Sequence, residues 1–416
     1  MKRFYTRAGG AVAAVAVTAM PMLASAGITL YDEGEKSLEI GGRLQPQYLM
    51  VDADGGENDS GDDFFLRRMR FYIEGTLTEN IYGIWQVDFG GVSDDPEVKD
   101  AFINYSGLPM GSITIGNHNA PFSRELLTSS KRQQFVERTV VGDHNYGVPD
   151  RQIGVSYTLD DNDMVQGQLG FYQAGLESDL SKLDFESRVS SDPDYFGNML
   201  VGRLDWTPLG SFKKAQGAFG DETRFGIGLN AYTWGNDDDI DNSFSVDPAN
   251  GDFIANDVAS QYDSVNAYGV DAAFRAGYFS ADAAAQFYDA EVTDETRDFI
   301  GGPTGLVNAD GDAQFATYMV KGGYMLVPSK LEFVAGFSAL DPDDGFYANG
   351  QNYDDMDKRY SAGLNYFFNK HNAKIQLTYE MGRDVLYTND AGGQVQSPSN
   401  IGDDQNTLYL QFQQVL

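Results

Sequence analysis

The 416-residue chain has no cysteine. That excludes a disulfide framework, a thiolate metal site and a cysteine nucleophile. Histidine is scarce, with only His118, His144 and His371. Basic residues number 29 against 62 acidic ones, and a net charge of −33 argues against nucleic-acid binding through phosphate contacts. Past residue 26 no apolar run reaches the ~18 residues that a membrane-crossing helix requires. Aromatic residues, by contrast, are abundant. The 24 Tyr, 27 Phe and 3 Trp make up 13% of the chain, far more than a solvated, disordered polypeptide carries. So much ring surface has to be sheltered from water.

The N-terminus reads as an export signal. Lys2, Arg3 and Arg7 precede an apolar stretch from about Ala8 to Met20, and Ala24-Ser25-Ala26 supplies a small-residue cleavage pattern. Residues 1–26 are expected to be a signal peptide and 27–416 a single mature domain. The signal holds three basic and no acidic residues, so the 390 residues that remain carry a net charge of −36.

The dominant pattern along the mature chain is two-residue alternation in blocks of roughly ten. In RQIGVSYTL (151–159), Ile153, Val155, Tyr157 and Leu159 share one face, and Gln152, Gly154, Ser156 and Thr158 share the other. Similar blocks place Phe225, Ile227 and Leu229 opposite Gly226, Gly228 and Asn230, and Ile375, Leu377, Tyr379 and Met381 opposite Lys374, Gln376, Thr378 and Glu380. A period of two means strands with one apolar and one polar face. Sixteen such strands are predicted, near residues 37–51, 64–77, 81–89, 97–106, 112–116, 151–159, 164–174, 195–207, 222–236, 265–276, 278–292, 313–326, 331–340, 359–368, 373–384 and 406–416. Long loops alternate with short turns such as TEN at 78–80 and VPSK at 327–330; the turn at 208–221 is the long exception. An even strand number with this rhythm describes an all-β, 16-stranded antiparallel transmembrane β-barrel of the bacterial outer membrane. Lipid offers the backbone no hydrogen-bond partner, so a spanning sheet must close on itself. Sixteen strands then imply a water-filled lumen. A secreted soluble sandwich or propeller would explain the alternation but not the loop rhythm. The final block alternates to the chain end through Leu408, Leu410, Phe412 and Leu416, without a terminal aromatic.

Residues out of phase with the apolar face should line the lumen. In the first strand these are Arg43, Gln45 and Gln47; in FFLRRMRFYIEG (64–75) they are Arg68, Arg70, Tyr72 and Glu74. Arg67 falls on the lipid phase, where a bulge could turn it inward. Asp88, Asp100, Arg203, Asp205, Arg224, Asp271, Arg275, Lys321 and Lys374 are further inward candidates. The arginines clustered on the first two strands suit an anion, because guanidinium forks hold oxyanions bidentately. They also fit a solvated wall that balances its own charge.

The third long loop (117–150) is 34 residues long, and loops of that length are usually functional. It carries Arg124, Lys131, Arg132 and Arg138 with the hydroxyls of Ser123, Thr128, Ser129 and Ser130. Its Phe122, Leu126, Leu127, Phe135 and Val136 suggest packing against the inner wall, which would narrow a pore.

With these segments in view, the chain resembles the phosphate-selective porin O/P family over nearly its whole mature length. The likeness is strongest at FFLRRMRFYIEGTL, EVKDAFINYSG (97–107) and ITIGNHNAPFSRELLTSSKRQQFVER (113–138). It implies a homotrimeric outer-membrane porin with an inward-folded third long loop, passing small anions such as phosphate by passive diffusion without a cofactor. It also implies an anion constriction built from Arg67 and Arg68, an arginine matched by Arg43, and Ser129, Ser130 and Arg138 of the loop. Arg70, Arg124 and Lys131 complete the expected set. The family's lysine three residues before the serine pair is Leu126 here. That departure and the acidic exterior favour a general diffusion porin as the close alternative; a plugged structural or adhesive barrel is a more distant one.

An enzyme is not expected, although His118 and His144 lie near serines and acids, because no nucleophile motif accompanies them. The pieces DADGGENDSGDD (52–63) and NADGD (308–312) lack the full spacing of a calcium loop, so no metal site is expected. The long loops other than the third hold 36 acidic and 4 basic residues, while the third is neutral. The acidity therefore belongs to the rim, where it could bind divalent cations that bridge lipopolysaccharide.

Overall fold

A computed structural model describes residues 27–53, 61–91, 96–162, 164–176, 180–185, 189, 197–211, 214–236, 244–246, 253–255, 261–386 and 401–416. The expected signal peptide (1–26) and much of the acidic loop sequence lie outside these residues.

Sixteen antiparallel strands form one closed sheet. They are β1 (Lys36–Ala53), β2 (Gly61–Thr78), β3 (Ile81–Asp88), β4 (Glu97–Leu108), β5 (Gly111–Asn119), β6 (Arg151–Asn162), β7 (Val165–Ala174) and β8 (Gly197–Trp206). The second half runs β9 (Asp221–Asn236), β10 (Tyr262–Gly277), β11 (Phe279–Val292), β12 (Asp312–Val327), β13 (Leu331–Pro342), β14 (Asp357–Asn369), β15 (Ala373–Arg383) and β16 (Gln405–Val415). Each strand pairs with the next, and β16 returns to β1 through Arg43↔Val415 to Ala53↔Gln405. Closure leaves no long edge with unpaired backbone groups. Where β16 ends, Leu416 still exchanges backbone bonds with Gly42, and the strand Ile28–Glu33 covers the next stretch of β1 from Ile40 to Lys36.

The alternation carries through as predicted. Leu44, Met69, Phe71, Leu169, Leu229, Leu364 and Leu377 are exposed on the outer face. Gln45, Gln47, Arg203, Asn230, Thr317, Gln376 and Gln411 are buried on the inner one. β2 carries the informative irregularity. Its register against β1 shifts between Gln45↔Arg68 and Pro46↔Leu66, so Arg67 is an extra residue in a β-bulge. Pro46 has no N–H to give the ladder at this point, and a bulge tolerates that loss. The bulge lets Arg67 and Arg68 both be buried, at 8% and 4% exposure, while Leu66 and Met69 stay on the outer face.

The lumen departs from a uniformly polar wall. Tyr172, Tyr232, Trp234, Tyr262, Tyr288 and Phe315, on the inward phase near the long-loop ends of β7 and β9–β12, are buried in one apolar cluster. Phe122, Leu126, Val140, Val141, Tyr146 and Val148 of the third long loop join it, as do Leu176, Leu183 and Phe185 of the next. Phe122 meets Tyr232 edge-on at 5.0 Å between ring centroids, and Phe185 meets Trp234 at 6.0 Å. Much of the aromatic content is thus sheltered inside as well as against lipid. Burial of each such side chain contributes about 1.5–3 kcal/mol.

Candidate functional site

The candidate residues on the wall come from a row running across β1, β2 and β3. Arg43 sits opposite Arg70, which in turn sits opposite Asp88. Two like charges facing each other repel, and Asp88 relieves this by accepting from Arg70 Nε at 2.6 Å. Asp88 also accepts the Met69 N–H, which holds its carboxylate in the row. Two residue pairs along, Gln45 faces Arg68. Gln45 donates to Gln411 and Gln413 of β16 at 2.9 and 2.6 Å, and Gln411 donates to Gln47 at 2.7 Å. This amide ladder locks the seam beside the arginines.

The third long loop is held to the inward side chains of distant strands. Near its start, Ser123 caps the short helix Arg124–Leu127. Glu125 then meets Lys321 of β12 at 2.5 Å, with both side chains at 1% exposure, and also accepts from Thr139. At its tip, Lys374 donates to Gln133 O at 2.8 Å and Gln413 to Lys131 O at 3.0 Å. Gln134 donates to Ser280 and Glu332, and Asn365 donates to Gln134 O. Wall side chains thus satisfy backbone groups that a loop would otherwise expose or orphan.

These tethers divide the expected anion set between three places. Arg43, Arg70, Ser129 and Lys131 line one cavity of about 170 Å³ together with Gly42, Tyr72, Gln86, Asp100, Arg151 and Val415. Its lining holds four cations and one carboxylate, while Asp88 and Asp150 pair with Arg70 and Arg151 from outside it at 2.6 and 3.0 Å. Arg67, Arg68 and Arg138 border a second, much smaller recess with Glu137 and His144. Glu137 occupies the arginine pair: Arg67 Nε donates to it at 3.0 Å, and Arg68 Nη2 reaches it at 3.5 Å. Ser130 is buried beside Ser129 at the loop tip. Arg124 lies apart from both cavities, 3.8 Å from Asp282 of β11, among the charges of the opposite wall. There Arg203 bridges Asp205 and Asp271, and Arg275 pairs with Asp282.

Several donors remain available. Arg43 Nε, Arg68 Nη1 and Arg138 Nε are buried with no hydrogen-bond partner among the described residues. Burial pushes the Lys131 ammonium below its ordinary 10.5, and the nearby Arg43 and Arg132 cations push it further. Burial likewise lowers Arg138, partly offset by Asp150. Burial alone would raise Asp150, but Arg151, Lys99, His144 and Arg138 hold it well below the carboxylate range. A site crowded with cations disfavours its own charge and is relieved by an anion.

Sequence reasoning missed Arg151, Glu137 as the partner of the arginine pair, and the glutamine ladder. Arg151 shares the apolar phase of β6, so phase alone sends it to lipid; its long side chain reaches back to Asp100 at 2.8 Å. The ladder was legible as Gln411 and Gln413 in alternate positions of β16, but its partner strand was not. His118 Nε2 bonds Ser156 at 2.7 Å and Tyr172 at 2.9 Å, and His144 Nδ1 bonds Asp184 at 2.8 Å. Of the pieces read against a calcium loop, 54–60 lies outside the described residues. Asn308 and Asp312 form a turn closed by backbone N–H to Asn308 Oδ1, with Asn308 Nδ2 bonding Asp344.

A sequence model of the family described as phosphate-selective porin O and P matches residues 38–414. An uncharacterised protein of Caulobacter vibrioides is 27% identical over 282 residues, which are 65% of this chain and 53% of that protein. An uncharacterised protein of Aquifex aeolicus is 30% identical over 125 residues, 25% of this chain and 30% of that one. The chain therefore spans between about a third and a half of the length of these relatives. Among solved structures, the anion-selective porin from Comamonas acidovorans superposes with a TM-score of 0.57 at 11% identity, over 92% of this chain and 100% of that one. The trimer form of OmpT of Vibrio cholerae superposes with a TM-score of 0.56 at 11% identity, over 91% and 100%. At such identity these two structures bear on fold alone.

Proposed function

The chain belongs to the phosphate-selective porin O and P family, and on that premise we propose that it is an outer-membrane channel for the passive diffusion of small anions. The observation that carries the reading is the cavity where Arg43, Arg70, Lys131 and Arg151 face Asp100, with Ser129 beside them. An oxyanion entering it would exchange water for guanidinium, ammonium and hydroxyl donors, held tightly enough to enter and loosely enough to leave. The third long loop would fold into the lumen and form the constriction, a reading supported by its bonds to β12–β16. The signal peptide at 1–26, assembly as a homotrimer and contact of the acidic rim with lipopolysaccharide belong to the same proposal. Nothing in this mechanism calls for bond-making chemistry, so a channel rather than an enzyme is the consistent reading.

A second reading has its own support. Glu137 sits between Arg67 and Arg68, offsetting one of their two charges, and Leu126 stands where the family has a lysine, so the central site is less positive than the family pattern. A general porin with weak phosphate preference would look like this. Recording from the purified protein in planar bilayers distinguishes the two. Reversal potential in a chloride gradient reports anion over cation preference, and a phosphate-selective channel loses chloride current at millimolar phosphate. Current without phosphate block supports the general porin. Cation preference overturns the anion reading, and absence of current leaves only a plugged barrel.

A further inference from the structure

The turn between β8 and β9 is the one connection at the short-turn rim that breaks the rhythm, and its segment 214–220 does not simply cross the rim. Lys214 Nζ reaches Asp205 of β8 at 3.1 Å, and Arg275 of β10 donates to Ala215 O at 2.7 Å. Ala218 is fully buried, and Phe219 packs edge-on against Phe367 at 4.9 Å and His371 at 5.2 Å. Gly217 has φ +77, and a Cβ there would lie 3.1 Å from Glu332 Oε1, so a bare backbone is needed where the segment passes the wall. Between these anchors lies Gln216, at 3% exposure.

Gln216 uses three polar groups at once. Its N–H donates to Arg132 O at 3.0 Å, and its side-chain Oε1 accepts the Gln134 N–H at 2.8 Å. Its carbonyl accepts from His371 Nε2 at 3.0 Å, since a carbonyl oxygen can only accept. Arg132 and Gln134 flank the tip of the third long loop, immediately after Ser129, Ser130 and Lys131. The loop entering from one rim and the turn entering from the other therefore meet through Gln216.

We propose that Gln216 is a positioning residue for the anion site: the turn between β8 and β9 is the floor on which the tip of the third long loop rests. Selectivity at Lys131 and Ser129 then depends on a segment that contributes no group to the anion itself. The proposal rests on the porin reading for its consequence, but its geometry can be tested independently of conduction.

The natural chain has no thiol, so Ser129→Cys places a single reporter at the loop tip. Its modification rate by a small charged thiosulfonate is measured in liposomes, with and without Gln216→Ala. Removing the Oε1 acceptor orphans the buried Gln134 N–H, and a cost near 1.4 kcal/mol corresponds to about a tenfold faster rate. Gln216→Glu keeps an oxygen acceptor at that position and restores the slow rate. In planar bilayers, Gln216→Ala without the reporter weakens anion preference. Rates for Gln216→Ala within twofold of the parent, on barrels that remain heat-modifiable in gels, overturn the proposal. A parent protein that passes no current or prefers cations overturns the porin reading instead, and the thiol rates still report on the tether.

Discussion

Glu137 decides how much arginine charge an incoming anion meets. It accepts from Arg67 at 3.0 Å and Arg68 at 3.5 Å while nearly buried, so it substitutes for the anion the pair would otherwise hold. Glu137→Gln removes one negative charge from that recess. Phosphate should then block chloride current at roughly tenfold lower concentration, a gain near 1.4 kcal/mol, and the measurement is a block titration in bilayers. Unchanged block would mean that the arginine pair is out of the permeation path. Lys131 offers a second handle. Its ammonium is pushed below 10.5 by burial and by the neighbouring cations, so it loses its charge earlier than a free lysine as pH rises. Anion preference should therefore fall with rising pH below 10.5, and Lys131→Arg should keep the preference flat over the same range, as reversal potentials would show.

Among the elements, β2 and the third long loop do most to shape the site. The bulge at Arg67 brings two adjacent residues to one face, which strict alternation forbids. The loop depends on the Glu125–Lys321 pair, which has almost no exposure. Removing one member of such a buried pair strands the other charge and costs about 3–5 kcal/mol. Lys321→Met should therefore expose the loop to trypsin at Arg132 and Arg138 while leaving the barrel folded. Glu125→Gln added to Lys321→Met should recover much of the protection. Limited proteolysis followed by heat-modifiability on gels reads both outcomes. Equal trypsin resistance in Lys321→Met and the parent would show that the wall contacts at Gln133 and Gln134 suffice to hold the loop.

Across the whole molecule, charge is segregated. The long loops other than the third carry a net −32, while the cavity at Arg43 is lined by four cations, of which Arg70 and Arg151 are paired with carboxylates. On the proposed channel reading, an anion passing these loops would meet an acidic field that salt screens within about 8–10 Å at physiological strength. Anion preference should accordingly rise as salt is raised from about 0.01 to 0.15 M, then level off as the throat alone decides. Reversal potentials taken at a fixed gradient ratio test this, and a preference that only falls with salt would place the acidic rim away from the entrance. On the proposed inward fold of the third long loop, its apolar cluster with β7–β12 would fill part of the lumen, so conductance should be well below that of an empty sixteen-stranded barrel.

The strands could be read along the chain because alternation is local. Leu44 and Leu377 face out and Gln45 and Gln376 face in, since each strand carries its own two-residue pattern and lipid on one side enforces it. Strand number, loop rhythm and the family likeness needed nothing more. Arg43 and Arg68 could be named the same way, as cations on an inward phase, whereas Arg67 came from the family likeness and Lys131 from the basic content of the third long loop. Their grouping could not. Glu137 reaching Arg67, Arg151 reaching Asp100 and Gln216 reaching Gln134 join residues 70, 51 and 82 positions apart. Such contacts join segments far apart in the chain and depend on how the closed barrel brings them together. By itself the sequence determined which side of the wall most residues occupy. Only the tertiary structure decided which of the inward charges are already paired and which remain for an anion, because pairing is set by distances across the lumen that no periodicity encodes.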